Sequence, residues 1–598
     1  MNIQSLTGEK LYQAFSSGAQ YVIDNRENLN KINVFPVPDS DTGTNLAMTL
    51  KSVIRNTKVS PSAGSTMQSM AEQALLGARG NSGIIFAQFL YGMSESLRDT
   101  DEITVVSFRN AAERAALKAY SAMNQPVEGT MLTVMKAWAD SLRSMGHKVA
   151  DFGHLFTDSL KVALESLKRT PEKLKVLKDA HVVDAGAKGF VHFIQGIQSF
   201  LRTGTVYQAG TADIEIEAEQ FHEEVLSGEE IRYRYCTEVI VQTGQWIRFK
   251  NVFKGSVCDR VRNILKDLGD SLIVAGGDER FRVHIHTDQP GEVMLRLREF
   301  GTIADQKADD MLRQYETRFA RKYPIALVTD SVCDLPQEIM DEYQIHMVPL
   351  NVIMEDTEYL DKITMTPAAF YTVLDDVTQY PSTSQPTTAQ FENLYEFLSD
   401  HYEAVISVHL SSRLSGTCNA AETAAEKFPK VTVVDSKTLS GALGLVVKRI
   451  ALAIDGGLSA GEAVEAAVEW SGKASIFVSV QTLKYMVRGG RVSPLKGKIA
   501  KVLNLKPIVS VDREGKSDLH GKAFSTRANR RKIMSMVKRE EPIHSYAVVH
   551  AHADDEAAEF ARDLERLLGR SPEYIMDISP VVGLNAGKGA VAVVTLKE

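Results

Sequence analysis

The sequence is poor in the features that mark secreted, membrane-spanning and nucleic-acid-binding proteins. Four cysteines in 598 residues are too few for a disulfide framework, which favours a reducing, cytoplasmic location. No run of about 18 apolar residues occurs, and the polar start MNIQSLTGEKLYQ has no apolar signal core. The net charge is −8 with no basic stretch to offset it, which argues against a nucleic-acid partner.

The chain is too long for one hydrophobic core, and its patterning divides it into three regions. Residues 1–205 carry helical apolar spacing between Gly-rich breaks, and the acidic stretch GTADIEIEAEQFHEE marks their boundary. Residues 215–318 mix strand-like and helical patterns, which predicts a small α+β domain. Residues 323–598 alternate apolar strands with helices. This pattern predicts an α/β region with a parallel sheet, whose ligands bind at the carboxyl ends of the strands.

The stretch NVFPVPDSDTGTN, residues 33–45, places two aspartates on one turn stiffened by prolines. Asp39 and Asp41 could both face one Mg²⁺, which prefers oxygen ligands. Gly43 would let the backbone approach a ligand, and the helix expected from Thr44 would offer free N–H groups to an anion. The simpler interpretation is an Asp-rich turn that caps this helix.

Two further Gly-rich breaks precede expected helices. GARGNSG ends at Asn81, Ser82 and Gly83, just before an apolar helix, and DAGAKGF begins at Asp184. One such loop is weak evidence, but three in one helical region indicate a nucleotide site built on helix N-termini.

These stretches and the tetrapeptide EGTM resemble the DhaL-type (Dak2) domain of dihydroxyacetone kinases and, more closely, the kinase subunit of bacterial fatty-acid kinase. The resemblance covers about residues 1–205 and implies an all-helical barrel in which Asp39 and Asp41 hold the Mg²⁺ of Mg-ATP. Asn33 would stand where the dihydroxyacetone kinases have a third aspartate. Ser40 replaces the glycine usual between the two aspartates, a change that is neutral if φ there is negative. The implied nucleotide contacts are Asn33, Thr42, Gly43, Thr44, Asn45, Asn81, Ser82, Gly83, Thr130 and Asp184.

The stretch VHIHTD places His284 and His286 on one face of an expected strand, where both could meet one metal ion. Cys236, in RYCTEV, offers a thiolate. Two histidines on a half-buried strand equally fit hydrogen bonding alone. YCTEVI and HIHTDQPG also resemble the middle domain of the kinase subunit of fatty-acid kinase, which implies Zn²⁺ bound by Cys236, His284 and His286.

The last region carries hydroxyl groups beside apolar segments. Thr383 and Ser384 lie on an expected loop, and Ser415-Gly416 leads into a helix expected at Thr417. Hydroxyls and a helix start can hold a carboxylate, although each hydroxyl alone is as readily a helix cap. Arg491, in the turn RGGR, could pair with a carboxylate or its phosphate product.

The stretches VTDSVCDLP, STSQPT, HLSSRLSGT and RGGR resemble the DegV family, which supplies the acyl-binding component of fatty-acid kinase. The resemblance covers about residues 323–598 and implies a bound fatty acid in an apolar tunnel. At roughly 0.8 kcal/mol per buried CH₂, a sixteen-carbon chain gains on the order of 10 kcal/mol.

One departure from the DegV pattern lies near the C-terminus. Acyl-binding DegV proteins usually carry a His-Thr-Gly-Pro-Gly turn after an apolar strand, and its histidine contacts the ligand head group. Here ISPVVG is predicted to be that strand, Asn585 stands where the histidine aligns, and Lys588 follows. Either Asn585 and Lys588 together hold the carboxylate and phosphate, or this half binds lipid without transferring phosphate.

Together these patterns predict an ATP-dependent fatty-acid kinase that forms acyl-phosphate, with Asp39, Asp41 and Arg491 acting in the transfer. ATP, Mg²⁺ and Zn²⁺ are the expected cofactors, and a homodimer with transient membrane-surface contact is the expected assembly. The alternatives are a non-catalytic fatty-acid carrier or sensor, and a dihydroxyacetone-like small-molecule kinase. The first would need only the last region, and the second only the first.

Overall fold

The structure is a computed structural model that describes residues 3–35, 41–145, 149, 151–208, 231–244, 256–355, 357–374, 377, 379–492 and 505–598. The chain divides into two compact units, which comprise Met1–Leu312 and Arg313–Glu598. Asp39, Ser40 and the acidic stretch chosen as the first boundary lie outside the described residues.

The first part of the first unit is helical, as predicted. Its helices start with local signals: the Thr7 side chain accepts the Lys10 N–H, and Thr104 and Ser107 form a capping box. The elements are β1 Ser5–Leu6, α1 Gly8–Asp24, α2 Arg26–Lys31, α3 Thr42–Asn56, α4 Ala63–Gly77, α5 Gly80–Leu97, β2 Ile103–Thr104, α6 Val105–Ala122, α7 Met131–Ser144, α8 Phe152–Lys168, α9 Thr170–Lys173, α10 Lys175–Asp179 and α11 Ala185–Thr203.

Helix α5 is apolar around most of its circumference and lies in the core of this part. Phe86 and Phe89 pack edge-on or tilted against aromatic rings of other helices, among them Trp138 and Phe190. Burying α5 on nearly all sides fixes its N-terminus, which carries the GARGNSG loop, with respect to its neighbours.

The second part of the first unit is the predicted α+β region. Its elements are β3 Tyr235–Thr243, α12 Val257–Leu265, β4 Asp270–Gly276, β5 Arg280–Thr287, α13 Pro290–Arg298 and β6 Gly301–Asp310, and helix α14 Met311–Phe319 follows directly. The antiparallel sheet has the order β4-β5-β3-β6. Ile273 and Ala275 of β4 join the core of the helices, and the Gly276 N–H donates to Gln88 Oε1 at 2.7 Å. The sheet and the helices therefore share one core.

The second unit is α/β, as predicted. Its elements are β7 Ile325–Asp330, α15 Gln337–Glu342, β8 His346–Val348, β9 Asn351–Met354, β10 Thr357–Leu360, α16 Pro367–Val373, β11 Ser382–Ser384, α17 Thr388–His401, β12 Ala404–His409, α18 Thr417–Ala425, β13 Val431–Asp435, α19 Ser440–Asp455, α20 Ala460–Ser471, β14 Ala474–Ser479, α21 Lys484–Arg488, β15 Lys506–Val511, β16 Ser517–Ala523, α22 Thr526–Arg539, β17 Ile543–His550, α23 Asp554–Leu568, β18 Ile575–Asp577, α24 Pro580–Ala586 and β19 Val591–Lys597.

The predicted parallel sheet is only part of this unit. The sheet β13-β12-β7-β8 is parallel throughout, but the sheet β16-β15-β14-β19-β17-β18 is mostly antiparallel. The last strand, β19, lies between β14 and β17 and runs antiparallel to both. The expected parallel sheet is therefore present, but alternating strand and helix patterns do not reveal the second, mostly antiparallel sheet or the insertion of β19 into it.

The stretch ISPVVG is not a strand. Ser579 caps α24 by accepting the Val582 N–H, and Pro580 occupies the first turn. Ser-Pro is a helix-start signal that outweighs the β-branched Val581 and Val582. Asn585 therefore lies near the end of a short helix.

Among the described residues, no helix is both long and apolar enough to cross a membrane.

Candidate functional site

Four helix N-termini of the first unit approach one another: those of α3, α5, α7 and α11. A Cβ placed on Gly186 of α11 would lie 2.9 Å from Ser82 Oγ of α5. A Cβ on Gly80 would overlap the Asn45 amide of α3, and Asp184 accepts a hydrogen bond from the Met131 N–H of α7. The structure thus brings the predicted loops together, and helix N-termini attract anions.

Asp41 occupies the N-cap position of α3, which begins at Thr42 rather than at Thr44. Its side chain makes no capping hydrogen bond to the helix. The simple capping interpretation therefore does not account for Asp41, whose carboxylate remains suited to a hard cation.

The residues after Asp41 are held by their neighbours. The Thr42 hydroxyl donates to Asn33 Oδ1 at 2.7 Å, in a buried pair. Asn30 of α2 accepts the Thr44 N–H at 3.0 Å and donates to its hydroxyl. A Cβ on Gly43 would overlap the Arg26 carbonyl, so close packing on α2 requires this glycine. Asn33, Thr42 and Gly43 position the loop, and Thr44 is exposed.

The α5 N-terminus begins at Gly80, so Asn81, Ser82 and Gly83 lie in its first turn. Asn81 Oδ1 is buried without a hydrogen-bond partner among the described residues. Gly83 packs against the Thr49 side chain. At the N-cap of α7, the Thr130 hydroxyl donates to the Val127 carbonyl at 2.8 Å, which uses its only donor.

Asp184 acts as the N-cap of α11. Its Oδ1 accepts the Ala187 N–H at 2.7 Å, and the residue is buried. Burial raises the pKa of this carboxyl to about 6. Its carboxylate accepts backbone N–H groups at the starts of both α7 and α11. These donors are therefore already used, and DAGAKGF is not the open phosphate-binding loop that was expected.

The three predicted metal ligands of the middle region meet on one face of its sheet. In the β3–β5 pairing, Cys236 stands opposite His286 and Glu238 opposite His284. Cys236 Sγ and one ring nitrogen of each histidine lie within 4.8 Å of one another. Cys236 Sγ is 3.8 Å from His284 Nδ1, but that nitrogen also faces Glu238, so a metal ion would be held through the other ring nitrogen of His284, Nε2.

Each histidine of this cluster faces a carboxylate. His284 Nδ1 is 3.4 Å from Glu238 Oε1, and His286 Nδ1 is 3.4 Å from Asp270 Oδ1. His284 Nε2 is buried without a partner among the described residues. Metal-binding histidines usually donate their second ring N–H to a carboxylate, so the donor set fits a zinc-type ion.

Charged groups near the cluster, among them the Asp41 carboxylate, act electrostatically on Cys236. Burial raises the pKa of the Cys236 thiol, and the carboxylates of Glu238, Asp309 and Asp41 raise it further. A cation bound to the sulfur would oppose these effects by favouring the thiolate.

The second unit contains a cavity of about 370 Å³. Most of its lining is apolar, with side chains such as Leu414, Ile476, Val509 and Val549. Val332 and Leu410, just beyond the carboxyl ends of β7 and β12, also line it. Its size is typical of small-molecule sites, and its lining suits an alkyl chain.

Of the residues predicted to bind the head group, all but Lys588 line this cavity: Thr383, Ser384, Ser415, Gly416, Arg491 and Asn585. Lys588 is exposed at the surface. Thr383 and Ser384 lie on strand β11 rather than on a loop.

The hydroxyl groups that line the cavity differ in the hydrogen bonds that they already make within the protein. Ser384 donates to Glu358 at 3.0 Å and accepts from Asn351 at 3.2 Å, so its proton is used. Thr383 has no side-chain hydrogen bond to the described residues. Ser415 Oγ shares a hydrogen bond with Thr417 Oγ1 at 2.9 Å and accepts the Thr417 N–H. Because Thr417 can be the donor, Ser415 can present its proton to a carboxylate.

Asn585 is packed against the RGGR turn. Its Nδ2 donates to the Val581 carbonyl at 2.9 Å, and its Oδ1 is buried without a hydrogen-bond partner among the described residues. A Cβ on Gly489 would overlap this oxygen. Arg491, two residues further on, is exposed.

Sequence patterns missed two residues at these sites. Glu238 is buried beside Cys236, His284 and His286, which form the metal-type cluster, and only the strand register places it there. Glu128 accepts from Tyr120, Thr133 and Lys173, which holds the loop before Thr130. In the sequence, its place in PVEGTM, two residues before Thr130, was the one sign that it belongs to this loop.

Three family models match the chain in succession. Residues 36–199 match the DAK2 domain, residues 232–318 the fatty acid kinase A-like middle domain, and residues 324–598 the DegV family, described as uncharacterised proteins. These matches confirm the predicted combination of families in one chain.

Relatives of known sequence include YloV of Bacillus subtilis, 34% identical over 322 residues. That match covers 53% of this chain and 57% of YloV. An uncharacterised protein of Staphylococcus epidermidis is 33% identical over 320 residues, covering 52% of this chain and 56% of its own length. The chain thus spans somewhat more than half the length of these relatives.

Among solved structures, "DegV, a fatty acid binding protein from Bacillus subtilis" is 29% identical with a TM-score of 0.43. A DegV family protein from Thermus thermophilus, whose structure concerns fatty acid binding, is 28% identical with a TM-score of 0.43. Each match covers 46% of this chain and 99–100% of the solved one.

Proposed function

From a chain that combines a DAK2 domain, a fatty acid kinase A-like middle domain and a DegV-family region, we propose an ATP-dependent fatty-acid kinase. The DAK2 part binds Mg-ATP, and the DegV part binds the fatty acid. The observation that carries the proposal is the apolar cavity with Thr383, Ser415 and Arg491 on its lining, in a chain that also holds a DAK2 domain.

The reaction is phosphoryl transfer to a carboxylate. A carboxylate oxygen attacks the γ-phosphorus of ATP, the bond from that phosphorus to the bridging oxygen breaks, and ADP leaves. The acid is already ionised near neutral pH, so no general base is required. The products are acyl-phosphate and ADP.

Asp41, with Asp39, is proposed to hold the Mg²⁺, which neutralises phosphate charge. The Asp41 carboxylate fits this role because the helix does not use it. Asn45, Asn81 and Ser82 lie at the approaching helix starts and are proposed to orient the phosphates. Cys236, His284 and His286 are proposed to hold Zn²⁺, supported by the two facing carboxylates.

At the acyl end, the hydroxyls of Thr383 and Ser415 are proposed to donate to the carboxylate, and Arg491 to offset its charge. The apolar lining excludes water from the alkyl chain and supplies most of the affinity.

The proposal is tested with purified protein, Mg-ATP and palmitate, with hydroxylamine added to trap acyl-phosphate as a hydroxamate for mass spectrometry. We expect hydroxamate only when both substrates are present. Phosphorylation of dihydroxyacetone in a parallel reaction, without hydroxamate from palmitate, would instead establish a small-molecule kinase.

A fatty-acid carrier without transfer activity is the second candidate, and Asn585 favours it. This residue stands where the resemblance expects a head-group histidine, and its amide already donates to Val581. Co-purified fatty acid without any hydroxamate would support the carrier. Activity gained only by Asn585→His would point to the same conclusion for the natural chain.

A further inference from the structure

Glu238 connects two sites that the sequence treats as separate. It lies on β3 with only 3% of its surface exposed. Its Oε1 accepts the Gly80 N–H of α5 at 2.6 Å and is 3.4 Å from His284 Nδ1 of the metal-type cluster. One oxygen atom therefore contacts both a candidate metal ligand and the start of a candidate phosphate-binding helix.

The turn between α4 and α5 is held by the same group of side chains. Arg282 of β5 donates to Glu238 Oε2 at 2.7 Å. Its other terminal nitrogen donates to the carbonyls of Leu75 and Leu76, at the end of α4. Arg79 lies 3.7 Å from the same Glu238 oxygen. Movement of Glu238 would therefore change the position of the α5 N-terminus.

That N-terminus carries the residues proposed to orient phosphate. Asn81 and Ser82 follow Gly80 directly, and Gly80 packs against the amide of Asn45. In a packed core, a displacement at Gly80 is transmitted to these groups.

We propose that Glu238 is a positioning residue that links metal binding at Cys236, His284 and His286 to nucleotide binding at the start of α5. If His284 ligates the metal through Nε2, its ring would be fixed, and its Nδ1–H would hold Glu238 against Gly80. This inference deepens the proposed function and rests on its assignment of nucleotide to the DAK2 part.

The sign of the linkage follows from charge. Glu238 places a carboxylate at the start of α5, where it would repel phosphate. A divalent ion with one thiolate ligand adds one net positive charge beside that carboxylate. Metal binding therefore favours the anionic nucleotide, and reciprocity requires that nucleotide tightens metal binding by the same factor.

Asp270 provides a matched control. It faces His286 as Glu238 faces His284, at the same distance of 3.4 Å. It lies on β4, its side chain is 43% exposed, and the groups that lower its pKa, led by His286, lie within the middle region. It therefore supports the metal cluster without holding α5.

The experiment uses the full chain. Zn²⁺ affinity is measured by competition with a chromophoric chelator, with and without Mg-ADP, and Mg-ADP affinity by calorimetry, with and without Zn²⁺. In the wild type we expect each ligand to tighten the other by about tenfold, within the usual range of coupling between sites. No factor at all, or a factor of the opposite sign, in which each ligand weakens the binding of the other, would overturn the proposal.

The variants locate the linkage. Glu238→Gln should bind both ligands with a coupling factor clearly smaller than in the wild type, because only the direct attraction between the metal ion and the nucleotide remains. Asp270→Asn should bind Zn²⁺ roughly tenfold more weakly and keep the wild-type factor. Persistence of the full factor in Glu238→Gln would overturn the role of this residue. If that variant does not fold, as judged by circular dichroism, the coupling factors of the wild type and of Asp270→Asn decide whether the two sites are linked.

Absence of Mg-ADP binding under every condition would contradict the proposed function as well, whereas nucleotide binding without coupling would contradict this inference alone.

Discussion

At the scale of single residues, the hydrogen bonds already made decide what a side chain can offer a ligand. Thr383 and Ser384 are neighbours on β11, yet only Ser384 donates to a carboxylate of the protein, that of Glu358. The Thr130 hydroxyl is likewise committed to the Val127 carbonyl. Residue type alone therefore overstates the number of groups available for binding.

This difference predicts unequal effects at the acyl cavity. Thr383→Val and Ser415→Ala should each weaken fatty-acid binding by about 10- to 150-fold, because a hydrogen bond to a charged group contributes about 1.5–3 kcal/mol. Ser384→Ala, the matched comparison, should lose much less because its proton already goes to Glu358. Displacement of a fluorescent fatty acid measures all three. Equal losses at Thr383 and Ser384 would contradict the assignment.

Asp184 predicts a dependence of stability on pH. Burial raises its pKa from 3.8 to about 6 in the folded state. Between these values the folded state binds more protons than the unfolded state, so this carboxyl lowers stability as pH rises. At about 1.4 kcal/mol per pKa unit, the total is on the order of 3 kcal/mol. Asp184→Asn, which can still cap α11, should therefore gain stability over the wild type between pH 4 and pH 6.5, measured by urea unfolding.

Asp259→Asn serves as the control for this measurement. A hydrogen bond from Ser256 lowers the pKa of Asp259, so its stabilising effect is fully present above about pH 4. Its difference from the wild type should stay constant over the same pH range. A constant difference for Asp184→Asn as well would show that Asp184 does not titrate as a desolvated carboxyl.

At the scale of elements, the contact between α24 and the turn after α21 shapes one part of the cavity lining. Asn585 of α24 lies against Gly489, which follows Arg488 at the end of α21. This contact replaces the expected strand and turn, and it sets where Asn585 stands with respect to Arg491.

Gly489→Ala tests this contact. Gly489 has φ −73°, which alanine accepts, so the only obstacle is overlap of the new methyl group with Asn585 Oδ1. We expect a loss of about 1–3 kcal/mol in unfolding free energy and weaker fatty-acid binding. The double variant Gly489→Ala with Asn585→Ala should recover most of the stability. Gly472→Ala, where φ is −70° and the nearest atom would lie 3.4 Å away, should be almost neutral. No recovery in the double variant would show that the contact is not the cause.

At the scale of the whole molecule, the proposed sites fall in different compact units. Asp41 lies in Met1–Leu312, whereas Thr383 and Ser415 lie in Arg313–Glu598. Each unit has its own apolar core. The two binding steps should therefore be separable by mutation.

Asp41→Asn should lower acyl-phosphate formation by at least about a hundredfold and leave fatty-acid affinity unchanged, because metal ions contribute several kcal/mol to such transfers. Thr383→Val with Ser415→Ala should show the reverse: weak fatty-acid binding with normal Mg-ADP affinity. Hydroxamate yield and calorimetry measure the two properties. Near-normal yield in Asp41→Asn would remove Asp41 from the metal site. The homodimer and the membrane-surface contact stay predictions.

The sequence by itself determined the order of regions, most element types and the position of His284 and His286 on one face of a strand. These depend on short-range rules: helical spacing, caps such as Thr104 with Ser107, and the two-residue period that puts His284 and His286 on one face. Family motifs added the nucleotide and acyl assignments, which residue patterns alone left open.

Only the tertiary structure decided which partners these groups have. The Gly80–Glu238 hydrogen bond joins residues 158 positions apart, and β19 runs antiparallel between strands that precede it in the chain. Burial of Asp184 between two helix starts and the Ser384–Glu358 bond also arise from packing. Local patterns act over a few residues, whereas a buried polar group takes its partner from whichever distant segment the core brings beside it. For that reason the chemistry available at each site was settled by the fold.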